Sequence, residues 1–311
     1  MRLGIAFTWH SLPFEALLEL VRRAEAAGYG AAYVDGDVSM LESRGDGDVL
    51  DGWTLTTALL ARTERIALGS IRLPHHWNAG KLAQAVATAE RIFPGRLRFL
   101  ASIGGHDADR RFGLPYLDTP GRIAWLDELL DALRALWRGE TVSRSGRFVQ
   151  LDRARVHPTP PGGRVPIAVG ARRAGLLRVV ARHADRWDVN LPPVRARVAE
   201  AAAALARACA AEGRDPASIE RSMWIFARPG RNAADPALRS EFRHWNPWFA
   251  DLSDAELGEA IVAGDPADCR RTLTQLAAEL RLSLPVVDCS GLGADAARHV
   301  LDAFGPLAEP R

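Results

Sequence analysis

Eight short apolar runs, each separated from the next by a stretch with helical periodicity, constrain this chain more than any other feature. The runs are RLGIAF (2–7), AAYVD (31–35), RIALGSIRL (65–73), RLRFLASI (96–103), VPIAVG (165–170), DRWDVN (185–190), IERSMWIFA (219–227) and LSLPVVDCS (282–290). The intervening segments are amphipathic. In 14-FEALLELVRRAEAAG-28, Leu17, Leu18, Val21 and Ala24 recur at helical spacing, and Gly28 ends the helix. Eight strands alternating with helices is the count of a (β/α)8 TIM barrel, a fold of roughly 250 residues. A doubly wound sheet would not need a helix after nearly every one of eight strands. The reading is a single α/β barrel domain over 1–311, with insertions in strand-to-helix loops at about 139–163 and 228–262. The first insertion reads as a hairpin turning at SRSG, with the exit 158-PTPPGGRVP-166; the second is rich in Trp and Pro (HWNPW, 244–248). Long loops in a compact domain are often lids. For the second, a packed extra helix or an oligomer contact is the alternative.

Composition removes several classes of function. Forty basic residues against 38 acidic ones leave a formal net charge of +2, too even for a general nucleic-acid surface. No apolar run approaches the roughly 20 residues of a membrane span. Cys209, Cys269 and Cys289 are far apart and form no CxxC pair, which points to packed, reduced thiols. MRLGIAF enters a strand at once without a signal-peptide layout, so a cytoplasmic location is expected.

Barrel chemistry sits at the C-terminal ends of the strands, so the residues after each run form the candidate site. They include His10 after the first, Asp35, Gly36 and Asp37 after the second, and Ser70, Ile71 and His75 at the third. Ile103, Gly104, Gly105 and His106 follow the fourth, and Gly170, Ala171 and Arg172 the fifth. Three histidines at separate strand ends raise the question of a metal. Neither an HxH nor an HxxE spacing accompanies them, and no metal is expected. Gly104–Gly105 lets a flat or phosphorylated ligand approach the backbone. Gly170 followed by Ala-Arg-Arg at a helix start offers free N–H groups, the helix dipole and two guanidiniums to a phosphate. Exposed first-turn arginines are the plain alternative. Together these features suggest a phosphorylated cofactor with a flat ring.

The ordered series 65-RIALGSIRLPHHWNAGKLAQAVATAERIFPGRLRFLASIG-104, FGLPY (112–116), GRIAWLDELLDALRALWRG (121–139), 166-PIAVGARRAGLLRVVARHADRWDVN-190 and GDPADCRRTLTQL (264–276) resembles the bacterial luciferase-like superfamily of barrel oxidoreductases. ARHADRWDVN and DGWTLTTALLA are nearer its F420-dependent branch. The resemblance implies F420, with FMN as the alternative cofactor. It implies a bulge near Ser70–Ile71, often with a non-prolyl cis peptide, that backs the ring. It also implies cofactor contacts at Ile103 through Gly105, and phosphate contacts at Val169, Gly170 and the residues after them. Asp35 and Gly36 are counted with the cofactor contacts. The chain departs from the family at 35-DGD-37, where many members have Asp-His, and at His106, where the F420-dependent sugar-phosphate dehydrogenases have a glutamate. Gly170–Ala171 replaces a common Gly-Gly pair. The sugar-phosphate activity is therefore not carried over.

The expected function is hydride transfer between F420 and an organic substrate, small or peptide-sized, with reduction of an activated C=C, C=N or C=O favoured. His106, His10 and His75 are the candidate proton donors, since imidazole titrates near 6.5, and Asp37 orients one of them. The tryptophans, including Trp245 and Trp248, suggest a sizeable, partly apolar pocket. An FMN-dependent monooxygenase using O2 and a non-catalytic flavin-binding member are the rival readings. A homodimer is usual in the superfamily.

Overall fold

The computed structural model describes residues 1–9, 11–39, 47–104, 108–245 and 250–308. In chain order its strands are β1 (Gly4–Phe7), β2 (Ala31–Val34), β3 (Ala67–Arg72), β4 (Leu97–Ala101), β5 (Val142–Ser145), β6 (Gln150–Ala154), β7 (Ile167–Ala171), β8 (Arg186–Val189), β9 (Glu220–Pro229), β10 (Val262–Gly264) and β11 (Leu284–Asp288). Its helices are α1 (Phe14–Ala26), α2 (Gly52–Ala61), α3 (Ala79–Ile92), α4 (Thr119–Trp137), α5 (Ala174–His183), α6 (Arg195–Ala211), α7 (Pro236–Trp245), α8 (Asp254–Ala260), α9 (Pro266–Glu279) and α10 (Ala294–Phe304). Eight parallel strands close a ring in the order β1-β2-β3-β4-β7-β8-β9-β11, with β11 returning to β1. This is the (β/α)8 barrel that the alternation implies.

The closed ring explains the strand sequences. Parallel strands covered by helices outside and filled inside are apolar on both faces; β1 (GIAF) and β11 (LPVVD) are buried throughout. The interior is built largely from small side chains, Ala6, Ala31, Ala67 and Ala168, with Tyr33, Leu100, Leu284 and Val286. The bulkier packing lies between ring and helices, where Trp137, Trp187 and Phe304 are fully buried. Helix starts are fixed by side-chain caps: Asp51 accepts from Thr54 N–H at 2.7 Å, Asn78 from Lys81 N–H at 3.1 Å, and Asp118 from Gly121 N–H at 2.9 Å.

The insertions enter from opposite ends of the barrel repeat. The hairpin β5–β6 follows α4 and precedes β7, so it interrupts a helix-to-strand connection rather than a strand-to-helix loop. It is bound along α4: Glu128 accepts from the N–H groups of Arg147, Phe148 and Val149, and Trp125 stacks on Phe148. The second insertion does lie in a strand-to-helix connection, between β9 and α9. Its helices α7 and α8 close a small core in which Leu238, Phe242, Leu252 and Leu257 pack on Phe226 of β9. β3 runs in unbroken register with β4 through Arg72 and Ala101. The Ser70–Ile71 bond is not cis; among the described residues the cis bond is His157–Pro158. The three cysteines are buried and free. Among the described residues no helix is long and apolar enough to cross a membrane.

Candidate functional site

A cavity of about 420 Å³ opens at the C-terminal ends of the ring strands. All eight strands reach it: Thr8 and Trp9 beyond β1, Asp35 to Asp37 beyond β2, Ile71 of β3, Ser102 to Gly104 beyond β4, Gly170 to Arg173 at β7, Asp188 to Leu191 at β8, Trp224 of β9, and Asp288 and Ser290 at β11. Arg122 and Ile123 of α4 complete the wall. The alanines inside the ring leave room below, and Trp224 fills part of it, its ring 5.7 Å from that of Tyr33.

The wall is held by short polar contacts. Trp9, in a left-handed conformation at φ 51°, donates its N–H to Asp35 Oδ1 at 2.8 Å. The Thr8 and Ser290 hydroxyls meet at 2.5 Å and join β1 to β11. Gly36 is packed so closely on β3 that a Cβ there would stand 2.3 Å from the Ile71 carbonyl oxygen. Arg122, buried under the ring of Tyr116 at 4.3 Å, donates to the carbonyls of Ile103 and Gly104, both at 2.9 Å. It thereby fixes the backbone just where Gly104 turns at φ 73°.

The cavity is electrostatically divided. At the end of β7, Arg172 and Arg173 stand before the first turn of α5, whose N-terminus has no side-chain cap. Burial, and secondarily Arg173, lower the Arg172 pKa to about 10. Free helical N–H groups beside two guanidiniums suit a phosphate. On the floor, Asp188 Oδ1 accepts from the Ser222 hydroxyl at 2.8 Å. Burial raises the Asp188 pKa to about 6, against the Ser222 hydrogen bond and the charge of Arg186. Nearby, the Trp224 indole nitrogen is buried without a hydrogen-bond partner among the described residues.

The residues singled out from sequence fall into three groups. Asp35, Gly36, Asp37, Ile71, Ile103, Gly104, Gly170, Ala171 and Arg172 line the cavity. Ser70, Val169 and His75 do not. Ser70 faces α2, its hydroxyl donating to Gly52 O at 3.0 Å, and Val169 is packed in the outer core. His75 lies behind Gly104 and gives its Nε2 to Asp109 Oδ2 at 2.5 Å, where His76 Nε2 also arrives at 3.1 Å. Burial raises the Asp109 pKa, but the two histidine hydrogen bonds outweigh it and hold the carboxyl well below its usual range. Among the described residues, this trio is the group of His, Cys, Asp or Glu whose ligand atoms are close enough to share a cation. Both histidines converge on Asp109 Oδ2, while Asp109 Oδ1 and His75 Nδ1 are buried without a hydrogen-bond partner. His10, Gly105 and His106 lie outside the described residues, as does Trp248. Arg122 and Trp224 were not singled out, and Asp188 stood among the residues at the end of the sixth strand without a role being given to it. Arg122 reads as a solvated helix arginine, while Asp188 alternates with the outward Trp187 and Val189 in period two, a signal that was available.

Comparison with known proteins gives a consistent set. A family model described as "Luciferase-like monooxygenase" matches residues 1–244. The F420-dependent glucose-6-phosphate dehydrogenase of Mycobacterium avium is 31% identical over 191 residues, 60% of this chain and 56% of that protein. That of Nakamurella multipartita is 29% identical over 171 residues, 54% of this chain and 50% of that protein. The match therefore spans about half the length of these relatives. Among solved structures, an F420-dependent secondary alcohol dehydrogenase bound to an F420–acetone adduct superimposes with a TM-score of 0.80 at 18% identity, covering 97% of this chain and 98% of that one. The monooxygenase RslO1 from Streptomyces bottropensis gives 0.78 at 20%, covering 98% of each chain.

Proposed function

The chain belongs to the luciferase-like monooxygenase family, and on that premise we propose that it is an F420-dependent oxidoreductase acting on a polarised C=O, C=N or C=C of a small organic molecule. The observation that carries the reading is the division of the cavity, a two-arginine helix start on one side and an indole-floored slot on the other. Relatives named as F420-dependent dehydrogenases support it. The residues present fit such a coenzyme. Trp224 keeps a buried indole N–H without a partner, and Gly170 leaves open a space beside Ser102 and Asp188 that a side chain would enter.

When bound, the deazaflavin supplies a hydride at its C5 position. The protein's own groups do the rest. Arg172, Arg173 and the first N–H groups of α5 bind the phosphate. Ile71, Ile103 and Trp224 offer apolar faces to the ring and keep water from it. Arg122 holds the Ile103 and Gly104 carbonyls so that the glycine backbone keeps its place. We further propose that the chain acts as a homodimer through the groove between α2 and α3, where Trp53 and the largely exposed Ile92 lie.

The test is a paired titration of the purified protein with F420 and with FMN, oxidised and reduced, followed by fluorescence. Micromolar or tighter binding of F420 alone is expected. Selective binding of reduced FMN would overturn the reading in favour of an oxygen-dependent monooxygenase.

A further inference from the structure

Any reduction at this site needs a proton as well as a hydride, and the geometry singles out one carboxyl. Asp35 and Asp288 each accept a backbone N–H, from Trp9 at 2.8 Å and Ser290 at 2.6 Å. Such donors cannot reverse and favour the ionised form. Asp188 differs. Its Oδ1 is held by a hydroxyl, which can donate to a carboxylate or turn and accept from a carboxylic acid. Its Oδ2 lies 3.7 Å from where a Cβ on Gly170 would stand, so the absence of a side chain at Gly170 leaves that oxygen open to the cavity. One strand over, and on the same face of β9 as Ser222, Trp224 borders the same cavity.

We propose that Asp188 is the catalytic acid–base group of this site, exchanging a proton with the substrate heteroatom through Oδ2. This rests on the F420 reading above. In the reducing direction the substrate carbon accepts the hydride, the C=O or C=N π pair moves to the heteroatom, and Asp188 gives that atom its proton. The carboxylate is then reprotonated from solvent, which also takes the proton lost by the reduced coenzyme. Two electrons and two hydrogens thus pass from F420H2 to the substrate. The groups that act on Asp188 are Arg186 on its own strand, Tyr33 from β2 and Ser222 from β9, and Arg172, Asp35 and Asp288 line the same cavity. Burial outweighs the Ser222 hydrogen bond and the charge of Arg186 and raises the carboxyl to about 6, near neutrality, where an acid–base group is most effective.

The experiment compares wild type, D188N and D188E in two readouts. In the coenzyme-free protein, the infrared band of a protonated carboxyl should titrate near pH 6 in wild type and be missing from D188N. With F420H2 and a panel of small ketones and imines, D188N should bind coenzyme within about threefold of wild type. It should lose roughly 10²–10⁴ in kcat together with the pH limb near 6, and D188E should recover part of the loss. A D188N enzyme with wild-type kcat and pH profile, or a wild type without the infrared titration, overturns the assignment while leaving the F420 reading intact. A wild type that fails to bind F420 removes both.

Discussion

Two glycines at the cavity do opposite work, and their substitution separates packing from binding. At Gly36 a methyl group would meet backbone, 2.3 Å from the Ile71 carbonyl oxygen and 2.9 Å from its nitrogen. Neither can move without disturbing β3. At Gly170 the nearest atoms to an added Cβ are 3.6 and 3.7 Å away on Ser102 and Asp188, ordinary contact. Gly36→Ala should therefore destabilise the protein by about 1–3 kcal/mol, seen as a lowered thermal midpoint. Gly170→Ala should melt as wild type yet weaken coenzyme binding in the fluorescence titration. Equal melting of the two variants would refute this division. Neither role is readable from the glycines in sequence, because the atoms that decide it belong to strands far along the chain. His75 makes the same point: it stands at a strand end, as a site residue should, but Asp109, 34 residues later, claims its Nε2.

At the scale of elements, the insertion after β9 is a satellite rather than an extension of the main core. Phe242 of α7 is fully buried and meets Phe226 edge-on at 5.0 Å, a geometry that adds about 0.5–1.5 kcal/mol to the area buried. Arg228 bridges it to the ring, pairing with Glu241 at 2.7 Å and donating to the Asp288 carbonyl at 3.1 Å. Phe242→Ala should cost about 3–5 kcal/mol, taken locally. Limited proteolysis should cut first between 230 and 262 while far-UV circular dichroism keeps the barrel signal. Cleavage spread evenly over the chain would show that the insertion and ring unfold as one. The strand and helix runs were legible because burial on both faces and helical spacing are local patterns. The hairpin was also legible as a hairpin. Its attachment was not, since Glu128 reaches the N–H groups of Phe148 and Val149 only once α4 and the turn are folded side by side.

For the whole molecule, acidity acts through two opposed sets of carboxyls. The His183 hydrogen bond, with Arg182, lowers the pKa of Asp127, and His75 and His76 together lower that of Asp109. A carboxyl lowered on folding contributes stability above its free value of about 4, and loses it as pH falls through the folded value. Asp188 is raised to about 6, so its contribution is present below about pH 4 and is lost as pH rises through 6. The melting temperature should accordingly drop below pH 4. D188N should match wild type there, gain on it between about pH 4 and 6, and hold a constant advantage above. A parallel pair of curves would contradict the buried-acid assignment.

Two fastenings follow β4 along the chain. Arg122 grips the Gly104 carbonyl on one side, and His75 and His76 grip Asp109 on the other. Gly104 and Asp109 are thus moored from different elements, the one from α4 and the other from the turn Pro74–His76 after β3, like two bolts on separate plates.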